Sequence, residues 1–145
     1  MDVTEKVIAA VPLRNLRVPL REFAVVWRAA EARCAEQAAV GVTDWYAGGV
    51  AMSCRWLAGA VVSGPRWGTE LAPAPVTRSR ASAYEELVEA EYLAAERLDI
   101  DPPSWVLARP GWSAGVRTTL GWVWRRACDA PFPTDVPAHL GNLTS

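Results

Sequence analysis

Two charged residues stand where apolar ones are expected. Glu91 falls within a helical stripe of Leu87, Val88 and Leu98, and Arg55 among Gly48, Ala51, Gly59 and Val62. A charge taken out of water must be paired or neutralised, because desolvating it alone is costly. The spacing therefore predicts an Arg55–Glu91 salt bridge that fixes the register of two apolar helices. The functional alternative is that one of the two lines a polar pocket and meets a ligand.

Nucleophilic and metal chemistry find little to work with. His139 is the only histidine and lies in a Pro-rich stretch near the C-terminal end. Cys34, Cys54 and Cys128 are scattered, with no C-x-x-C pair, which fits buried thiols better than a disulfide framework or a zinc site. The carboxylates Glu85, Glu86, Glu89, Glu91 and Glu96 could ligate a metal inside a helical bundle. The Glu-x-x-His pairs of such sites are missing, and a solvated acidic face is the simpler reading. No catalytic residue, metal ligand or cofactor is assigned.

Charge is segregated along the chain. Glu85 to Asp101 holds seven acidic residues and one Arg, whereas Arg109 to Arg126 holds four Arg and no acid. Arg117, Trp122, Trp124, Arg125 and Arg126, joined by Arg66 and Trp67 from an earlier loop, form a candidate partner-binding surface. Trp and Arg are the residues most enriched at binding hot spots. The alternative is internal, with the basic last helix docked beside the acidic third one.

These residues need a scaffold, and the pattern predicts an all-α one: four main helices around a central apolar helix at about 43–62. Residues 1–18 read as an extended or short-helical arm broken by Pro12, and Pro19 opens the first helix, to about Ala38. Leu20, Phe23, Trp27, Ala30 and Cys34 share its apolar stripe. The second helix follows Thr43 as N-cap, runs to about Val62 and is apolar all round, as an enclosed helix should be. Residues 63–81 read as one long loop. Ser82 and Glu85 have capping-box spacing for a third helix ending near Leu98. A short turn starts at Asp101, and the last helix spans about Gly111 to Cys128. Residues 129–145 read as an extended tail. A gapped echo links Trp45-Tyr-Ala-Gly-Gly-Val50 to Trp112-Ser-Ala-Gly-Val116; with one match and a gap, coincidence is the preferred reading, and two helices packing through similar small-residue faces is the alternative.

Composition sets the outer bounds. The 145 residues suit one domain, and a hydrophobic content of 51% argues against disorder. Lys6 is the only lysine among 15 basic residues, an Arg bias that GC-rich bacterial codons produce. A net charge of −1 gives no general pull toward nucleic acid or anionic lipid. Between Trp45 and Gly64 only Arg55 is charged, but a central Arg and several Gly disfavour a membrane span. The expectation is a cytoplasmic, non-enzymatic interaction protein: an adaptor, regulatory subunit or antitoxin-like partner that binds another protein or itself. One alternative is a nucleic-acid-binding regulator using the Arg-bearing loop and last helix. Another is a small enzyme or ligand carrier with a pocket near Arg55 and Glu91.

Overall fold

The computed structural model describes residues 1–63 and 68–134 and is mostly helical. Its elements are α1 (Glu5–Ala9), α2 (Leu20–Ala39), α3 (Trp45–Ala58), β1 (Val61–Ser63), β2 (Thr69–Leu71), α4 (Glu85–Ile100), α5 (Ser104–Leu107) and α6 (Trp112–Leu120). A π-helical turn at Gly121–Arg125 continues α6. No helix among the described residues is long and apolar enough to cross a membrane.

Local chemistry accounts for most helix ends, and in places differs from the expected one. Asp44, not Thr43, caps α3, its carboxylate accepting from the Ala47 N–H at 3.0 Å. The helix stops at Gly59, whose φ of +65° ends it in the left-handed region, so it does not reach Val62. Residues 61–63 instead pair antiparallel with 69–71, so a two-stranded sheet takes up the end of the expected helix and part of the expected 63–81 loop. Ser82 does not cap α4; Tyr84 stands at that position without a side-chain bond, while Glu85 and Glu86 favour the N-terminal dipole. The last helix leaves α-geometry at Gly121, and its π turn ends at Arg126 with a φ of +54°, short of Cys128.

The core is built where α3 crosses α6 and α2. Phe23, Val26, Trp27 and Ala30 of α2 meet Val50, Cys54 and Leu57 of α3, and Val116 and Leu120 of α6 close the other side. Gly49 and Gly115 allow the α3–α6 approach: a Cβ on Gly49 would overlap the Trp112 carbonyl oxygen, and one on Gly115 the Tyr46 carbonyl oxygen. The two echoing segments are therefore the two halves of one close helix crossing.

The first eighteen residues form short helical turns packed against the body. Val3, Ile8, Val11 and Val18 are buried, and Asn15 is fully enclosed after a single 3-10 turn at Leu13–Asn15. Its Nδ2 donates to the Leu57 carbonyl at 2.9 Å and the Ala83 carbonyl at 3.1 Å, tying the arm to the end of α3 and the start of α4. Much of the expected tail lies outside the described residues.

Candidate functional site

Arg55 and Glu91 do not meet. Arg55 reaches Glu31 on α2 in a two-pronged pair, Nε to Oε2 at 2.7 Å and Nη2 to Oε1 at 2.6 Å. Trp27 Nε1 also donates to Glu31 Oε2 at 3.0 Å. Burial alone would raise the Glu31 pKa, but the hydrogen bonds and charge of Arg55, with the Trp27 indole, bring it below the usual carboxylate range. Glu31 stands one turn after Trp27 on the buried side of α2, and that spacing was its available signal.

Glu91 has a different role. Its Oε2 accepts from the Val76 and Thr77 N–H groups at 2.5 and 3.0 Å, and its Oε1 from the Thr77 hydroxyl at 2.8 Å. The carboxylate is satisfied by backbone donors that sequence cannot mark. It fastens the strap 72–80 to α4, and the strap presents Arg78 at a φ of +65°. An Arg in that region carries local strain, which the surrounding bonds must hold.

The expected Trp–Arg surface is largely folded inward. Trp122 and Trp124 are only 6% and 4% exposed, because the π turn directs them into the core. Trp124 Nε1 donates to Glu89 at 2.7 Å, and Arg17 lies 3.7 Å over the same indole. Arg125 pairs with Glu89, Arg117 with Asp99 at 2.6 Å, and Arg126 donates to the Arg17 carbonyl at 2.8 Å. The basic end thus docks on the acidic α4, as the internal alternative has it. Arg66, Trp67 and His139 lie outside the described residues.

A different Trp–Arg constellation forms along one face of α3. Trp45, Gly48, Ala51, Met52 and Arg55 recur at helical spacing and line one side of a cavity of about 350 Å³. Cys34 and Ala38 of α2, the 42–44 turn, Trp112, Arg78 and Arg109 complete it. Arg109 lies 5.6 Å from both the Trp45 and Trp105 ring centres, and Trp105 meets Trp112 edge-on at 5.4 Å. A smaller hollow bounded by Pro75, Arg78, Trp105 and Arg109 shares two of these residues.

The cavity has more donors than acceptors. Asp44, its one carboxylate, is taken up by the Ala47 N–H and by Arg33 at 2.9 Å, which hold it well ionised. Among the described residues no carboxylate lies within ion-pair distance of Arg78 or Arg109. Arg55 spends Nε and Nη2 on Glu31, and its Nη1 makes no hydrogen bond among the described residues. Burial, with Glu31 nearby, pushes the Cys34 thiol pKa up and so disfavours the nucleophilic thiolate. A wider hollow of about 630 Å³ beside Trp122 and Cys128 is polar-lined and runs to the edge of the described chain. No group of three or more His, Cys, Asp or Glu gathers as a metal site would, among the described residues. Comparison with protein families, with curated proteins and with solved structures returned no match.

Proposed function

We propose that the chain is a non-enzymatic binding module that holds an organic anion in the cleft between Trp45, Trp112, Arg78 and Arg109. The observation that carries this reading is the pair Arg78 and Arg109 at a half-enclosed cavity, neither with a carboxylate partner among the described residues, and Arg109 lying beside the Trp45 and Trp105 rings. Apolar walls with a few convergent polar groups are the usual make-up of a ligand site. Binding rather than turnover is favoured because Asp44 is already engaged and Cys34 is held as a thiol. The free thiols Cys34, Cys54 and Cys128 fit work in a reducing compartment such as the cytoplasm.

The test is to purify the chain gently, release whatever it carries by denaturation, and identify it by mass spectrometry. A stoichiometric anion carried by the native chain and lost in R78A/R109A supports the reading. The same anion retained by the variant, or chemically altered by the native protein, overturns it.

A protein-adaptor reading has one observation in its favour. Trp105, Val42 and Leu107 are 39%, 49% and 68% exposed in segments that border the cleft, enough apolar surface to start an interface. In that case an acidic side chain of the partner would supply the anion. A pull-down that recovers one stoichiometric protein from the native chain, but not from R78A/R109A, distinguishes it. The nucleic-acid reading has fewer cations to draw on, because Arg80, Arg117 and Arg125 each meet a carboxylate.

A further inference from the structure

We infer that the cleft is shaped for a small flat aromatic ring bearing a carboxylate, with the ring over Gly48 and the carboxylate at Arg78 and Arg109. This rests on the anion-binding reading and specifies it.

Gly48 carries the inference. It sits inside α3, where glycine weakens a helix relative to alanine. Its neighbour Gly49 has a packing reason, since a Cβ there would overlap the α6 backbone. Gly48 has none: a Cβ built on it meets nothing within 4 Å. The space above Gly48 belongs to the cavity, and no other part of the described protein fills it.

The walls of that space suit a ring. Trp45 precedes Gly48 by three residues and Met52 follows it by four, so both flank it on the same helix face. Trp112 comes from α6, and its Nε1 donates to Met52 Sδ at 3.3 Å, which holds the indole in place. Indole and thioether walls favour an aromatic guest through stacking and sulfur–ring contact, over and above apolar burial. The cations suit a planar anion. A guanidinium presents its N–H groups in a flat fork that matches a carboxylate, and the two indoles beside Arg109 steady it.

The experiment titrates the full chain with 1-naphthoate by calorimetry, beside cyclohexanecarboxylate and acetate. We expect one naphthoate site, at least about tenfold tighter than cyclohexanecarboxylate, and a loss of about tenfold or more in both R78A/R109A and Gly48→Leu. Cys34 lines the same cavity and supplies a readout without substitution: naphthoate should slow its alkylation and leave that of exposed Cys128 unchanged. Equal, Arg-dependent affinity for naphthoate and cyclohexanecarboxylate overturns the ring and leaves the anion cleft standing. Naphthoate binding that ignores R78A/R109A, or no probe binding together with unprotected Cys34, overturns both.

Discussion

Gly49 and Gly115 face each other's helices at one crossing, each lying beneath a backbone carbonyl of the opposite helix, from Trp112 and Tyr46 respectively. Neither position has room for a methyl group, so alanine must push two backbones apart rather than move a side chain. We expect Gly49→Ala and Gly115→Ala each to destabilise the fold by about 1–3 kcal/mol, the range for overpacking a tight core. Gly48→Ala, one residue away over open space, should instead stabilise by about 0.5–1 kcal/mol. Urea unfolding of the three variants checks the contrast.

Glu31 makes stability depend on acid. Its folded pKa lies below the ordinary value of 4.5, so the contribution is present above the unfolded pKa and lost as pH falls through the folded one. Unfolding free energy should therefore fall on acidification below about pH 4.5. Asp44 and Glu89 are shifted in the same direction, so Glu31→Gln should flatten this limb without removing it. At neutral pH the same variant leaves the Arg55 charge unmatched, at a cost on the order of 3 kcal/mol. Melting curves from pH 3 to 7 on both proteins show whether the slopes differ.

Glu91 should act as a positioning residue for Arg78. Glu91→Ala leaves the Val76 and Thr77 donors without their acceptor, which should cost about 2 kcal/mol or more. The local effect is the sharper readout: strap 72–80 should become cleavable by protease while α3 and α6 stay protected. If Glu91→Ala melts the whole fold with no selective cleavage, the carboxylate serves the core rather than the strap.

Trp122→Ala and Trp124→Ala should each destabilise by about 3–5 kcal/mol, as for other buried aromatic residues cut to alanine. Trp124 also loses its bond to Glu89 and the Arg17 guanidinium stacked on its ring. Thermal melts of the single variants test this; near-native melting would place the rings on the surface.

The helices were legible because their periodicity is strong and their main stops are Gly or Pro. The apolar stripe through Phe23, Trp27 and Ala30 reflects real burial, whereas α3 is not enclosed all round: Trp45, Gly48, Met52 and Arg55 are only half-buried along the cleft. What failed was partner choice. A misplaced charge announces that it needs a partner but not which one, and Glu31, one turn after Trp27, is a less conspicuous candidate than Glu91. The turn at Gly121 is equally hidden: a helical wheel drawn past it puts Trp122 off the apolar stripe and Trp124 only at its edge, because the π turn changes the angle per residue. The cleft draws on residues 34 to 112, and helical spacing within α3 marks only one wall of it.

The buried Asn15 has a kinetic consequence. Its two hydrogen bonds span 42 and 68 residues, and its near neighbour Arg17 bonds to a carbonyl 107 residues away. Contacts so distant along the chain form only after long segments have been brought together, and their entropy is lost before the bonds offset it. The first eighteen residues therefore act as a late-closing latch, and the chain should fold more slowly than a helical protein of its size held by neighbouring contacts alone. On the ribosome the Asn15 bonds need only residues 57 and 83, but the Arg17 bond needs residue 124, so full closure of the latch waits for most of the chain to be synthesised.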